Sequence, residues 1–171
     1  TDNVTVAVSS NNLTEGTVSP TTLVFTPAAW NSYKTVTITG VNDNAADGNQ
    51  AYAVTLSAAI SNDGKYHGLD PADVAVVNLD DESAGFLVSA ISGNLREPGG
   101  EATFTVKLSS QPSATVNIPV SVSDSTEATA SPATLVFTTS DWNADHQVTV
   151  TALDDNESDG TQAFLVKLGA D

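Results

Sequence analysis

The feature that most constrains this chain is an internal repeat. Residues 1–59 align with residues 113–171 at a constant offset of 112, without a gap, and 27 of the 59 pairs are identical. Thr22-Leu23-Val24-Phe25-Thr26 meets Thr134-Leu135-Val136-Phe137-Thr138, Trp30-Asn31 falls on Trp142-Asn143, and Asp47-Gly48 falls on Asp159-Gly160. Chance does not produce that register. The fold must therefore work as a repeated unit of about 112 residues, an ordinary size for a β-sandwich.

The repeat sets the expected domains: residues 1–82 as one module without its first two strands, and residues 83–171 as a second without its last. Stitching the two copies together predicts seven strands. The first spans 85–91 and the second 102–108. The third is 116–122, with 4–8 as its other copy. The fourth is the Thr-Leu-Val-Phe-Thr segment of each copy. The fifth covers 34–41 and 147–153, the sixth 51–56 and 163–168, and the seventh 73–79. Val and Thr recur in short runs bounded by Asn, Asp, Gly and Pro, the punctuation of strands rather than helices. Phe104, Val106 and Leu108 alternate onto one face, as do Val36 and Ile38 with Gly40. The expected class is all-β, as tandem Greek-key sandwiches with both copies incomplete.

Charge decides the partner class. There are 21 acidic and 5 basic side chains, a formal net charge of −16. Nucleic-acid phosphates and anionic membrane surfaces demand Lys and Arg, so neither is an expected partner. No apolar run is long enough to span a bilayer, so membrane insertion is not expected. Cysteine is absent, which removes disulfides, thiolate chemistry and Cys-based zinc sites. A chain so rich in Ser and Thr suits a secreted or cell-surface bacterial protein.

The acidic residues are not scattered. If successive strands run up and down, the loops after the first, third and fifth strands share a pole with the exit of the seventh. Those segments hold Glu97; Glu15 and Glu127; Asp43, Asp47, Asp154, Asp155, Glu157 and Asp159; and Asp80, Asp81 and Glu82, which is 12 of the 21 carboxylates. Asp and Asn also sit in loops simply because they make turns. Four acidic segments converging on one pole favour a cation instead, because clustered carboxylates repel unless neutralised. Calcium fits best, taking six to eight oxygen ligands in flexible geometry.

Glu97-Pro98-Gly99-Gly100 before a strand, Leu153-Asp154-Asp155 after one, Asp159-Gly160 leading into the next, and Asn78-Leu79-Asp80-Asp81-Glu82 closing a module resemble the Calx-beta family. The resemblance covers nearly the whole chain. It implies an immunoglobulin-like sandwich that binds Ca2+ in loops near the boundary with the next module. The implied ligands are Glu97, Glu15, Glu127, Asp43, Asp154, Asp155, Asp47, Asp159, Asp80, Asp81 and Glu82. Asn42 stands where the family has the first Asp of a pair, and the family's longer acidic run is thinned in both copies. Fewer carboxylates mean fewer ions or weaker binding.

Other constellations point less far. Trp30 and Trp142 are expected to pack over the sandwich edge; the alternative is a glycan- or protein-binding surface on the Trp-bearing loops. His67 and His146 occupy unrelated positions in the two copies, and no nucleophile-elbow pattern accompanies any Ser. Adjacent loop carboxylates such as Asp154 and Asp155 suit cation ligation better than the acid–base pair of a glycosidase. The chain is therefore not expected to be an enzyme. The expected role is a calcium-binding, adhesin-like spacer whose partners are adjacent modules of the same protein. Open sheet edges add strand exchange between chains as a further expectation.

Overall fold

The structure is a computed structural model that describes residues 2–154 and 160–169. The chain divides into two compact units, the first of residues 1–43 and 47–81, the second of residues 44–46 and 82–171. Among the described residues there are strands and no helix, so none is long and apolar enough to cross a membrane.

The first unit contains β1 (Val4–Ser10), β2 (Gly16–Ser19), β3 (Thr22–Phe25), β4 (Thr37–Gly40), β5 (Gln50–Leu56) and β6 (Val74–Asn78). One sheet has the order β3-β1-β5-β6, and β2 and β4 form a two-stranded sheet. All pairs are antiparallel, with Val4 opposite Phe25, Val8 opposite Leu56, Gln50 opposite Asn78 and Gly16 opposite Gly40. These registers place the turn before Gly16, the exit from Gly40, the entry to Gln50 and the exit from Asn78 at one end. The pole predicted from strand parity is thus present in the fold.

The second unit contains β7 (Phe86–Val88), β8 (Glu101–Leu108), β9 (Val116–Val122), β10 (Ala128–Ser131), β11 (Thr134–Phe137), β12 (His146–Ala152) and β13 (Val166–Leu168). Its sheets have the orders β10-β12-β8-β7 and β11-β9-β13. By the 112-residue offset, β9 to β13 repeat β1 to β5. Carrying β7 and β8 onto the first unit, and β6 onto the second, gives two four-stranded sheets per module. The architecture is all-β, a pair of immunoglobulin-like sandwiches.

Four strand expectations are corrected. Gly16–Ser19 and Ala128–Ser131 were expected as loop, yet they form β2 and β10. Each leads through a cis Ser-Pro bond, at Pro20 and Pro132, into β3 or β11 of the opposite sheet. Proline has no N–H for a ladder, so the crossing falls where pairing is already interrupted. The strand expected over 34–41 is cut to Thr37–Gly40, whereas its copy runs the full His146–Ala152. β12 pairs with β8 from His146–Val106 to Thr151–Glu101, and β4 pairs only with β2. The strands expected over 85–91 and 163–168 are also shorter, at Phe86–Val88 and Val166–Leu168.

Packing follows the same asymmetry. In the second unit, Phe104, Val106, Leu108, Ile118, Val120, Leu135, Phe137, Val148 and Val150 form one buried core. The alternation read from Phe104, Val106 and Leu108 is the inward face of β8. The first unit buries Val8, Leu23, Tyr52 and Val54, with Val18, Phe25, Val36, Leu56 and Val76 partly covered. Full burial of such a side chain contributes about 1.5–3 kcal/mol, so the smaller core carries less of the stabilisation.

Candidate metal centre

Local turn chemistry sets Glu15 in place. Asn12 Oδ1 accepts from the Thr14 amide (3.2 Å) and the Thr14 hydroxyl (2.6 Å), and its carbonyl accepts from the Gly16 amide (3.1 Å). This Asx-type turn closes the β1–β2 connection and delivers Glu15 to the foot of β2. Glu15 is only 7% exposed, the one buried carboxylate among the described residues.

The Val41 amide donates to the Glu15 carbonyl at 2.9 Å. That bond extends the β2–β4 ladder and brings Asp43, two residues on, to the same end. Asn78, the last residue of β6, donates its side-chain amide to the Val41 carbonyl (2.8 Å) and to Glu15 Oε2 (3.2 Å). Asp47 precedes Gly48, whose φ of +79° is natural only for glycine. The Gly48 amide donates to Asp80 Oδ2 at 2.6 Å, and the Asp80 amide donates to Asn49 Oδ1 at 3.0 Å.

The outcome is a convergence of Glu15, Asp43 and Asp47, whose ligand oxygens all lie within 4.8 Å of one another. Two oxygens each about 2.4 Å from a common ion are at most about 4.8 Å apart, so the three carboxylates are close enough to share one hard cation. The donor set is carboxylate oxygen throughout, which suits a hard cation and gives no soft ligand for zinc or copper. Two like charges 4 Å apart repel by about 1 kcal/mol in water and about 4 kcal/mol at an effective dielectric of 20. With Glu15 out of solvent, a bound divalent cation relieves that repulsion.

The other expected ligands are placed as follows. Asp80 is tied to the Gly48 amide beside the cluster, and Asp81 is exposed just beyond it. Glu82 opens the second unit and is half-buried. In that unit, Glu97 is exposed on the turn that precedes β8. There the Gly99 amide donates to the Ala152 carbonyl (3.2 Å) and the Ala152 amide to the Gly100 carbonyl (2.9 Å). The Leu153 amide donates to the Glu127 carbonyl at 2.9 Å, and Asp154 follows, exposed. Glu97, Glu127 and Asp154 therefore mark the same end of the second unit. Asp155, Glu157 and Asp159 lie outside the described residues.

Two contributors were not expected as site residues. Asn78 orients Glu15, and Asn49 holds the Asp80 backbone. Their signal in the sequence is position alone: each stands at a strand end, two residues from an Asp. At the opposite pole the tryptophans diverge. Trp142 packs against the second core, as expected, whereas Trp30 is 70% exposed and does not.

The family model of the Calx-beta domain matches the chain twice, over residues 4–83 and 85–171. No curated protein and no solved structure matches it.

Proposed function

Since the chain belongs to the Calx-beta domain family over both of its halves, we propose that it is a calcium-binding structural repeat of a large secreted or cell-surface bacterial protein, an adhesin-like spacer. The family is one of structural and binding domains rather than of catalysts, found in extracellular or membrane-exposed regions. The observation that carries the calcium reading is the convergence of Glu15, Asp43 and Asp47 within 4.8 Å around a buried carboxylate.

Glu15, Asp43 and Asp47 would hold the ion, with Asp80 fastened beside them through Gly48. A bound Ca2+ supplies positive charge and a cross-link between loops that otherwise repel. Those loops leave β1, β4 and β6, so ordering them also stiffens the acidic segment Asp80–Ser83 along which the chain continues. A cation that binds only the folded form stabilises it by linkage, about 2.7 kcal/mol at a hundredfold excess over Kd. Calorimetric melting of the chain with chelator and with millimolar calcium tests this. A transition that moves upward with calcium but not with equal magnesium supports it; coincident transitions would refute it.

The alternative, a glycan- or protein-binding surface on the Trp-bearing loops, keeps only Trp30 as an exposed indole, since Trp142 is spent on packing.

A further inference from the structure

Both units end one sheet on the same strand. β3 closes the sheet β3-β1-β5-β6 and β11 closes β11-β9-β13, so the strand keeps its edge position although the two sheets differ in their other members. The Val8 amide donates to the Thr21 carbonyl and the Val120 amide to the Ala133 carbonyl, each at 2.9 Å. Hydrogen bonding alternates along an antiparallel ladder. Leu23 and Phe25 therefore turn their N–H and C=O groups towards β1, and Thr22, Val24 and Thr26 turn theirs to the open edge. The side chains of Val24 and Val136 point out of the sandwich, at 39 and 45% exposure, while Leu23 and Leu135 are buried.

Edge strands are ordinarily guarded by charge, proline or a covering group. The second unit has such a guard. The Thr138 amide donates to Asp141 Oδ1 at 2.6 Å, which takes an edge N–H out of use and sets a carboxylate at the end of β11. In the first unit Ala29 stands where the second has Asp141, and alanine does neither. Residues 16–33 carry no Asp, Glu, Lys or Arg, in a chain whose net charge of −16 otherwise drives its copies apart. Pro20 and Pro27 flank the edge without entering it, and between them Thr22-Leu23-Val24-Phe25-Thr26 reads almost the same in both directions. Turned about Val24, a second copy sets Thr22 against Thr26, Leu23 against Phe25 and Val24 against itself.

We propose that β3 is a homotypic docking edge, and that its occupant is β3 of a second copy of this chain, paired antiparallel about a two-fold axis at Val24. The contact is isologous, so it closes on itself as a dimer instead of growing into a fibre. Main-chain pairing supplies the affinity. The two Val24 side chains meet across the axis, where β-branched apolar pairs are favourable and like charges are not. β11 takes no part, because its Thr138 amide is already bonded and Asp141 puts negative charge at its end. The contact uses none of Glu15, Asp43 and Asp47, so it goes beyond the calcium reading and stands without it.

Sedimentation velocity of the intact chain over a concentration series tests it, at constant calcium and in about 0.5 M salt to screen the net repulsion. The chain should form a reversible dimer. Val24→Lys should weaken that dimer at least about tenfold, and it keeps its fold because Val24 already meets solvent. Val136→Lys should leave the dimer unchanged. Ala29→Asp is a second arm: it gives β3 the guard that β11 has, and should also weaken the dimer at least about tenfold. Hydrogen exchange locates the contact, since the Val24 amide should slow with concentration and the Val136 amide should not. A monomer at millimolar concentration overturns the proposal. So does an undiminished dimer in Val24→Lys or Ala29→Asp, equal loss in Val136→Lys, or exchange at Val24 that ignores concentration.

Discussion

Asn78 donates one side-chain amide to both the Val41 carbonyl and Glu15 Oε2, at 2.8 and 3.2 Å. A residue at the end of one sheet thereby orients the carboxylate that begins the other. Replacing it with alanine leaves a buried carboxylate and a backbone carbonyl short of a donor, at a cost of about 1–3 kcal/mol. Chemical denaturation of Asn78→Ala in chelator should show that loss. Calcium affinity should fall with it, because Glu15 is no longer held.

Gly16 packs directly beneath the Tyr52 ring, and a Cβ at this position would collide with the phenol. In the second copy the same two places hold Ala128 and Phe164: the methyl arrives where the hydroxyl leaves. Gly16→Ala alone should destabilise the first unit by about 1–3 kcal/mol. Adding Tyr52→Phe removes the hydroxyl contact but keeps Cε2 and Cζ close to the new methyl, so it should restore part of the loss and give the double-mutant cycle a favourable coupling term.

Phe25 and Phe137 are equivalent in sequence, but only Phe137 is fully buried, with its ring 4.3 Å from that of His146. Phe137→Ala should cost about 3–5 kcal/mol. Phe25→Ala should cost less than half as much, since its ring already faces an open cleft. Parallel melts of the two variants compare them directly; equal losses would contradict the asymmetry of the cores.

Asp141 accepts from the Thr138 hydroxyl (2.7 Å) and the Thr138 amide (2.6 Å), and these bonds, the hydroxyl foremost, hold its carboxyl below its ordinary value of 3.8. Asp124 is lowered in the same way by the Thr126 hydroxyl and amide. A depressed carboxyl contributes stability that is fully present above the unfolded value and lost as pH falls through the folded one. The gap in Tm between the parent and Asp141→Asn should therefore be widest near neutrality. It should close as the pH falls below the ordinary value of 3.8 and the folded carboxyl is protonated in turn.

Much of this was legible in the sequence because repeats and alternation are local. The offset of 112 aligned Glu15 with Glu127 and Asp43 with Asp155, and strand parity placed the acidic turns at one pole. What escaped depended on neighbours. Gly16-Thr17-Val18-Ser19 reads as a turn because it is short, opens on glycine and ends at proline, yet it pairs with β4. Val36 and Ile38 alternate as a buried strand should, but alternation records a capacity for burial; β4 pairs with β2, and Ile38 is 37% exposed. Trp30 and Trp142 share Trp-Asn, but Trp142 packs against the second core and its carbonyl accepts from the Leu108 amide, contacts that the local sequence does not carry.

The central claim is that the acidic pole is a calcium site built on Glu15, and titration calorimetry of calcium into the chelator-treated chain tests it most directly. The account predicts saturable binding that magnesium does not reproduce, weakened at least about tenfold in Glu15→Gln, roughly 1.4 kcal/mol. Absence of binding at millimolar calcium, or unaltered affinity in Glu15→Gln, would contradict it.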